Sequence, residues 1–202
     1  MACIVREPSS MEKMKIVSAV LAGGAGSRMG GAKAQVELAG LILAGHVAQA
    51  IQSELVGGVG DDVAALRIGA ASIADPPGLA KGPLAGVLAA LEWGASVGAT
   101  HVMIAPCDTP LLPAALVELL AAANATVACV ETRDGLQPLV ALWRMDLIGR
   151  LKDALRDGRH PPVRELLEQF GVARIWFEDA AAFTNINTRE DLFRAASLLQ
   201  RD

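Results

Sequence analysis

Tyrosine is absent from this chain of 202 residues, and aromatic residues make up only 3% of it. Proteins that stack bases along a nucleic-acid strand need aromatic platforms, and few are supplied here. Long blocks of like charge are missing too. The 18 Lys and Arg stand against 22 Asp and Glu, a formal net charge of −4, whereas a nucleic-acid groove needs a concentrated basic stripe. Cysteines are few, widely spaced and odd in number (Cys3, Cys107 and Cys129). That pattern excludes a disulfide framework and a zinc cluster, and is expected of a reducing cytoplasm. Every apolar run is broken by Gly, Asp, Glu or Lys before it could complete a membrane span. Met1 to Lys15 carries Arg6, Glu7, Glu12, Lys13 and Lys15 but no apolar core, so a secretory signal is not expected. Residues 1–14 read instead as a flexible tail, consistent with translation starting at Met11 or Met14.

What is present is a hydrophobic content of 52% with 20% charged residues, enough to bury the core of a single domain over residues 15–202. Short apolar runs alternate with amphipathic segments, the signature of a mostly parallel sheet covered by helices. Strands are expected at Ile16–Leu21, Val56–Val59, Arg67–Ala74, His101–Ala105 and Arg174–Phe177. Thr126–Val130 and Leu139–Trp143 flank a polar turn and read as an antiparallel excursion. Helices are expected over Leu43–Leu55, Pro83–Val97, from Pro113, over Met145–Arg156 and over Val163–Phe170. Leu84, Val87, Leu88 and Leu91 carry the 3.6-residue period of the second of these. Thr188 caps a last helix through Leu199, with Asp191 at its third position in an approximate capping box.

The most informative segment follows the first strand: Leu21-Ala22-Gly23-Gly24-Ala25-Gly26-Ser27-Arg28-Met29-Gly30-Gly31-Ala32-Lys33. Its five glycines let the backbone turn sharply and bring N–H groups close to a ligand. With Arg28 and Lys33 behind them, such donors suit a polyphosphate; otherwise the segment is a glycine-rich turn with two solvated cations. It is no dinucleotide fingerprint, because Met29 stands where a third glycine is needed after Gly24 and Gly26. Nor is it a P-loop, since Ala32 and Ala34 flank Lys33.

The run from Leu21 to Lys33 resembles the signature of the molybdenum cofactor guanylyltransferase family. Three further stretches keep that family's order: Gly82-Pro83-Leu84-Ala85-Gly86 after Asp75, Pro106-Cys107-Asp108-Thr109-Pro110, and Phe183-Thr184-Asn185-Ile186-Asn187-Thr188. Together they span roughly residues 15 to 199. The resemblance implies a three-layer, Rossmann-like nucleotidyltransferase α/β fold, with GTP and the Mo-molybdopterin acceptor as substrates and Mg²⁺ as cofactor. It departs from the family in three places. Leu41 and Ile42 follow Gly40 where a basic residue and Pro are usual, the stretch from Arg28 to Gly40 is one residue short, and Gly57, Gly58 and Gly60 occupy a region where an Asn is often found. These departures bear on base selectivity and catalytic strength, not on the fold.

Carried over residue by residue, the resemblance places GTP against Leu21, Ala22, Gly23, Gly24, Gly26, Lys33, Asp75 and Asp108. Arg28, Lys33 and Asp108 are the expected catalytic residues, and Asp108 the metal ligand. Asp108 also follows a buried strand at the carboxyl edge of a parallel sheet, where ligands of open α/β folds bind; capping of its own turn is the alternative. Asp75 holds nucleotide or caps its loop, and Lys81 meets phosphate or solvent. Asn185 and Asn187 alternate, so an extended backbone would turn both to one side, toward the pterin; a pair of Asx turns would use the same residues. Cys107 reads as small packing, and His46 and His101 as partly buried helix and strand residues. His160 lies in a basic loop with Arg156, Arg159 and Arg164, solvated or near an anionic substrate.

The expected chemistry is transfer of GMP from GTP to the terminal phosphate of molybdopterin. The attacking phosphate is already ionised, so no general base is needed. Molybdenum-insertion or molybdoenzyme-maturation proteins are the expected partners, with no nucleic acid and no membrane. Cytidylyl transfer to the same pterin, nucleotidyl transfer to a sugar phosphate, and a catalytically weak nucleotide-binding regulator are the rival readings. The loop's Ala-Gly-Gly favours guanine, because cytidylyl relatives typically read Ala-Ala-Gly.

Overall fold

Burial on both faces of the first strand sets the layers. In β1 (Ile16–Leu21), Val17, Ala19 and Leu21 face one side of the sheet and Val20 the other. The computed structural model describes residues 14–23, 32–53, 55–78 and 82–199. The tail expected over 1–14 therefore lies outside them, Met14 excepted. Along the chain follow β2 (Glu37–Leu38), β3 (Leu41–Ile42), α1 (Leu43–Ala50), β4 (Val56–Val59), α2 (Asp62–Arg67), β5 (Ala71–Ile73), α3 (Pro83–Ser96) and β6 (His101–Pro106). Then come α4 (Leu116–Ala122), β7 (Val127–Thr132), β8 (Gly135–Arg144), α5 (Ile148–Ala154), α6 (Val163–Gln169), β9 (Ala173–Trp176) and α7 (Arg189–Leu199).

Seven strands form one sheet in the order β5-β4-β1-β6-β8-β7-β9. The β5–β4, β4–β1, β1–β6 and β7–β9 pairs are parallel; β8 runs antiparallel to both of its neighbours. On one face, α3, α5 and α6 pack over Val17, Val102, Ile104 and Trp143. On the other, α1, α2 and α4 pack over Val20, Met103, Ala128 and Leu142. This is the expected three-layer α/β fold. The central helix α3 is buried from Leu84 through Leu91, and each of those large apolar side chains contributes roughly 1.5–3 kcal/mol by leaving water. Ser18 is buried inside the sheet, and its hydroxyl is satisfied by the Ile51 carbonyl.

Several boundaries differ from expectation; the hairpin strands reach Thr132 and start again at Gly135, so most of the expected polar turn is strand. Arg67 ends a helix instead of opening a strand: Asp61 caps α2 by accepting from the Ala64 N–H at 2.9 Å, and β5 begins only at Ala71. The short stretch from Asp61 to Arg67 holds too few turns for its period to stand out, so the capping carboxylate was its only strong signal. The first helix stops at Ala50, not Leu55, and the helix after Pro113 starts at Leu116. The capping box holds: Asp191 N–H donates to Thr188 Oγ1 at 3.1 Å, while Asp191 Oδ2 accepts from Thr188 N–H at 2.9 Å and Asn187 N–H at 3.0 Å.

Candidate active site

Parallel strands all present their carboxyl ends to one edge of the sheet, and the loops leaving that edge enclose a cleft of about 900 Å³. Across it, in sheet order, lie Asp75 beyond β5, Gly60 after β4, Ala22 and Gly23 after β1, and Asp108 after β6. The strand ends are tied tightly together. Ala22 N–H and Gly23 N–H both donate to the Val59 carbonyl, at 2.8 and 3.0 Å, and Gly60 N–H donates to the Ile73 carbonyl at 3.1 Å. Gly60 has φ +84°, and a Cβ there would lie 2.9 Å from Gly23 Cα. Two turns thus pack backbone on backbone, which leaves the cleft floor without side chains at that point.

Asp108 is the charged centre. Lys33 Nζ donates to its Oδ2 at 2.6 Å and to Asn187 Oδ1 at 2.6 Å. Both members of the ion pair are largely withdrawn from solvent, at 16% and 15% side-chain exposure. The other carboxylate oxygen, Asp108 Oδ1, is buried and has no hydrogen-bond partner among the described residues. A buried carboxylate oxygen left in this state costs roughly 1–3 kcal/mol unless something binds it. The segment bearing Asn185 and Asn187 is strapped to the same loop, with Ile186 N–H donating to the Asp108 carbonyl at 2.8 Å and the Ile186 side chain buried. Asn185 lines the cleft, while Asn187 reaches Lys33.

Cys107 is buried, and burial together with the neighbouring Asp108 charge pushes its thiol up to about 12. It remains protonated and inert, as packing requires. His101 is held below the ordinary histidine value by burial and by Arg144. Among the described residues no three Asp, Glu, His or Cys side chains cluster around a common point. A structural zinc site is not formed there, but Mg²⁺ needs only one or two carboxylates, filling its shell with water and phosphate oxygens. The buried Oδ1 of Asp108, unpartnered among the described residues, fits that demand.

Of the residues singled out in the sequence, Leu21, Ala22, Gly23, Lys33, Asp75, Asp108 and Asn185 line one cleft, and Asn187 joins through Lys33. Gly24, Gly26, Arg28 and Lys81 lie outside the described residues. Arg156, Arg159 and Arg164 do not line the cleft: Arg156 pairs with Asp153 at 2.7 Å and Arg164 donates to the Leu136 carbonyl at 3.1 Å. His160 instead covers the head of α3. Its Nε2, buried and without a partner among the described residues, lies 2.1 Å from where a Cβ on Gly82 would stand, so only glycine fits beneath it.

Two parts of the wall were not assigned to the site from sequence, the first of them noted only as a family stretch. Gly82, Pro83 and Gly86 bring the amino end of α3 to the cleft. Gln137, Pro138, Leu139 and Val140 bring β8. Pro138 was the available signal, because a proline cannot donate within an interior strand and marks a break in its ladder.

A model of the MobA-like NTP transferase domain matches residues 18–174. A molybdenum cofactor guanylyltransferase of Cereibacter sphaeroides is 36% identical over 195 residues, covering 94% of this chain and 100% of the relative. One from Rhodobacter capsulatus is 38% identical over 193 residues, covering 94% and 99%. The solved molybdopterin-guanine dinucleotide biosynthesis protein A from Archaeoglobus fulgidus superposes with a TM-score of 0.73 at 25% identity, over 92% of this chain and 100% of that one. With the cleft lined as described, the chain belongs to the MobA-like NTP transferases and, among them, to the molybdenum cofactor guanylyltransferase family.

Proposed function

We propose that this guanylyltransferase moves GMP from GTP to the terminal phosphate of molybdopterin, releasing pyrophosphate, with Asp108 as the ligand of a Mg²⁺ ion. One observation carries the assignment of Asp108: among the described residues its oxygen Oδ1 is buried and unpartnered, at the edge where Lys33 and the glycine turns converge. Bound there, Mg²⁺ would neutralise charge on the phosphate oxygens. The remaining work falls to the chain itself. Lys33 has three donors, of which two are engaged by Asp108 and Asn187. The third can meet a phosphate oxygen without releasing either partner. The first turn of α3, at the cleft wall, adds the positive end of a helix dipole, although Pro83 itself supplies no N–H.

The bond changes are those of an in-line displacement. A phosphate oxygen of the acceptor bonds to the α-phosphorus, the α–β bridging bond breaks, and pyrophosphate carries away the electron pair. The attacking oxygen is anionic, so no base has to take a proton. That agrees with a Cys107 held as thiol. Gly23 and Gly60 form a flat, side-chain-free floor for a purine, with Asp75 at the rim of the same wall, and Arg28, Gly24 and Gly26 belong to the phosphate side by family resemblance. Cytoplasmic action and delivery of the product to molybdoenzyme-maturation proteins complete the proposal. No helix among the described residues is long and apolar enough to cross a membrane.

Melting curves at matched nucleotide concentration test the nucleotide half. GTP·Mg²⁺ should raise the transition more than CTP·Mg²⁺ or ATP·Mg²⁺, because only bound ligand stabilises the native state. An equal or larger rise with CTP would overturn the guanine assignment.

A further inference from the structure

The most irregular element of the sheet faces the cleft. β7 and β8 pair at Cys129↔Ala141 and again at Glu131↔Leu136. Between those points β7 contributes only Val130, whereas β8 contributes Gln137, Pro138, Leu139 and Val140. β8 also parts from β6 beyond Ile104↔Ala141. β8 therefore carries three residues more than β7 over this stretch, and Gln137, Pro138, Leu139 and Val140 all line the cleft. Bulges of this kind re-aim side chains next to active sites.

The bulged segment is held at both ends. Leu136 and Val140 are buried in the cores on opposite faces of the sheet. Arg164 Nη2 donates to the Leu136 carbonyl at 3.1 Å, and Cys129 Sγ donates to the Gln137 carbonyl at 3.1 Å. Gln137 Nε2 rests on the Gly135 carbonyl at 3.4 Å, a long contact that an incoming group can replace. The backbone of Gln137 is thus fixed while its amide stays available.

Position along the sheet says which substrate this amide meets. Asp75, Gly60 and Gly23 lie beyond β5, β4 and β1; Asp108 lies beyond β6; Gln137 lies one strand further, on β8. Neighbouring strands are about 4.8 Å apart, so Gln137 stands on the far side of Asp108 from the glycine turns that suit GTP. In-line displacement demands that entering and leaving groups approach the phosphorus from opposite sides. With the triphosphate on the β1 side, the acceptor enters from the β8 side.

Building on the guanylyltransferase reading above, we infer that Gln137 is a specificity-determining residue for the acceptor, its side-chain amide pairing with the N–H and C=O edge of the pterin ring. A glutamine amide offers donors and an acceptor together, which matches a lactam edge where a carboxylate or an aliphatic side chain cannot. The bulge and its anchors at Leu136 and Val140 make that amide a fixed reader.

Steady-state kinetics on wild type, Gln137→Ala and Gln137→Glu, with GTP and molybdopterin varied in turn, test the inference. Each variant should raise KM for molybdopterin about tenfold, while KM for GTP and the GTP-induced rise in melting temperature stay at the wild-type value. Gln137→Glu keeps the side chain's length, so its nucleotide-free melting temperature should match wild type even if the alanine variant softens the bulge. An unchanged KM for molybdopterin in both variants, or an equal rise in KM for GTP, overturns the inference while leaving the guanylyltransferase reading intact. A wild-type protein that binds GTP but releases no pyrophosphate with molybdopterin overturns that reading, and the inference with it.

Discussion

The two halves of the cleft are built on different principles. On the β5-β4-β1 side, parallel strands end in glycine turns whose backbones touch, so the surface at Gly23 and Gly60 is main chain. On the β8 side, an antiparallel strand carries three residues more than its neighbour β7, and Gln137, Pro138, Leu139 and Val140 line the cleft. Asp108 and Lys33 stand between them. A main-chain floor suits the flat face of a base, whereas side chains suit an acceptor that differs from one transferase to the next.

The largest expected effect lies at the junction. Asp108→Asn keeps an acceptor for Lys33 but removes the charge, so nucleotide-free melting should stay within about 4 °C of wild type, while Mg²⁺-dependent pyrophosphate release falls at least about hundredfold. Near-normal turnover in this variant would move the metal elsewhere, with Asp75 the next carboxylate in the cleft. Lys33→Ala should reduce turnover roughly ten- to hundredfold, the worth of one charged hydrogen bond to phosphate. Normal turnover there would detach Lys33 from phosphate binding and leave it as a partner of Asp108 alone.

The next two effects are mainly on stability, and they divide the two sides. Gly60→Ala must hold a Cβ at φ +84° and 2.9 Å from Gly23 Cα, which should cost about 1–2 kcal/mol in denaturant titration and raise KM for GTP more than KM for molybdopterin. A shift confined to molybdopterin would reverse the assignment of the halves. Thr188→Ala removes one arm of the capping box that holds α7 behind Asn187. It should cost about 1 kcal/mol, with turnover within a few-fold of wild type. A collapse in turnover would mean that the strap carrying Asn187 has to be rigid for transfer.

The same division governs what the sequence discloses. The β5-β4-β1 side was legible because its devices are local. A buried β-branched strand running into glycines, and an aspartate between prolines after another strand, are signals carried within a few residues. Asp108, Lys33, Asp75 and Asn185 duly line one cleft. The β8 side was not legible, because a bulge is a property of two strands: nothing in Gln137-Pro138-Leu139-Val140 alone says that β7 offers only Val130 opposite. The seat of His160 on Gly82 is hidden for the same reason, since the two are 78 residues apart and meet only when α3 is in place. Helix α2 was lost to its shortness, its Asp61 cap notwithstanding.

The nature of the product tests the central claim most directly. Purified protein would be incubated with Mg²⁺, molybdopterin and equal concentrations of GTP and CTP, and the products identified by mass with pyrophosphate counted in parallel. The expected result is a molybdopterin–guanine dinucleotide, with one pyrophosphate released for each molecule formed and little or no cytosine product. A cytosine dinucleotide in equal or greater amount would contradict guanylyl transfer at this site, and release of pyrophosphate without any dinucleotide would contradict molybdopterin as the acceptor.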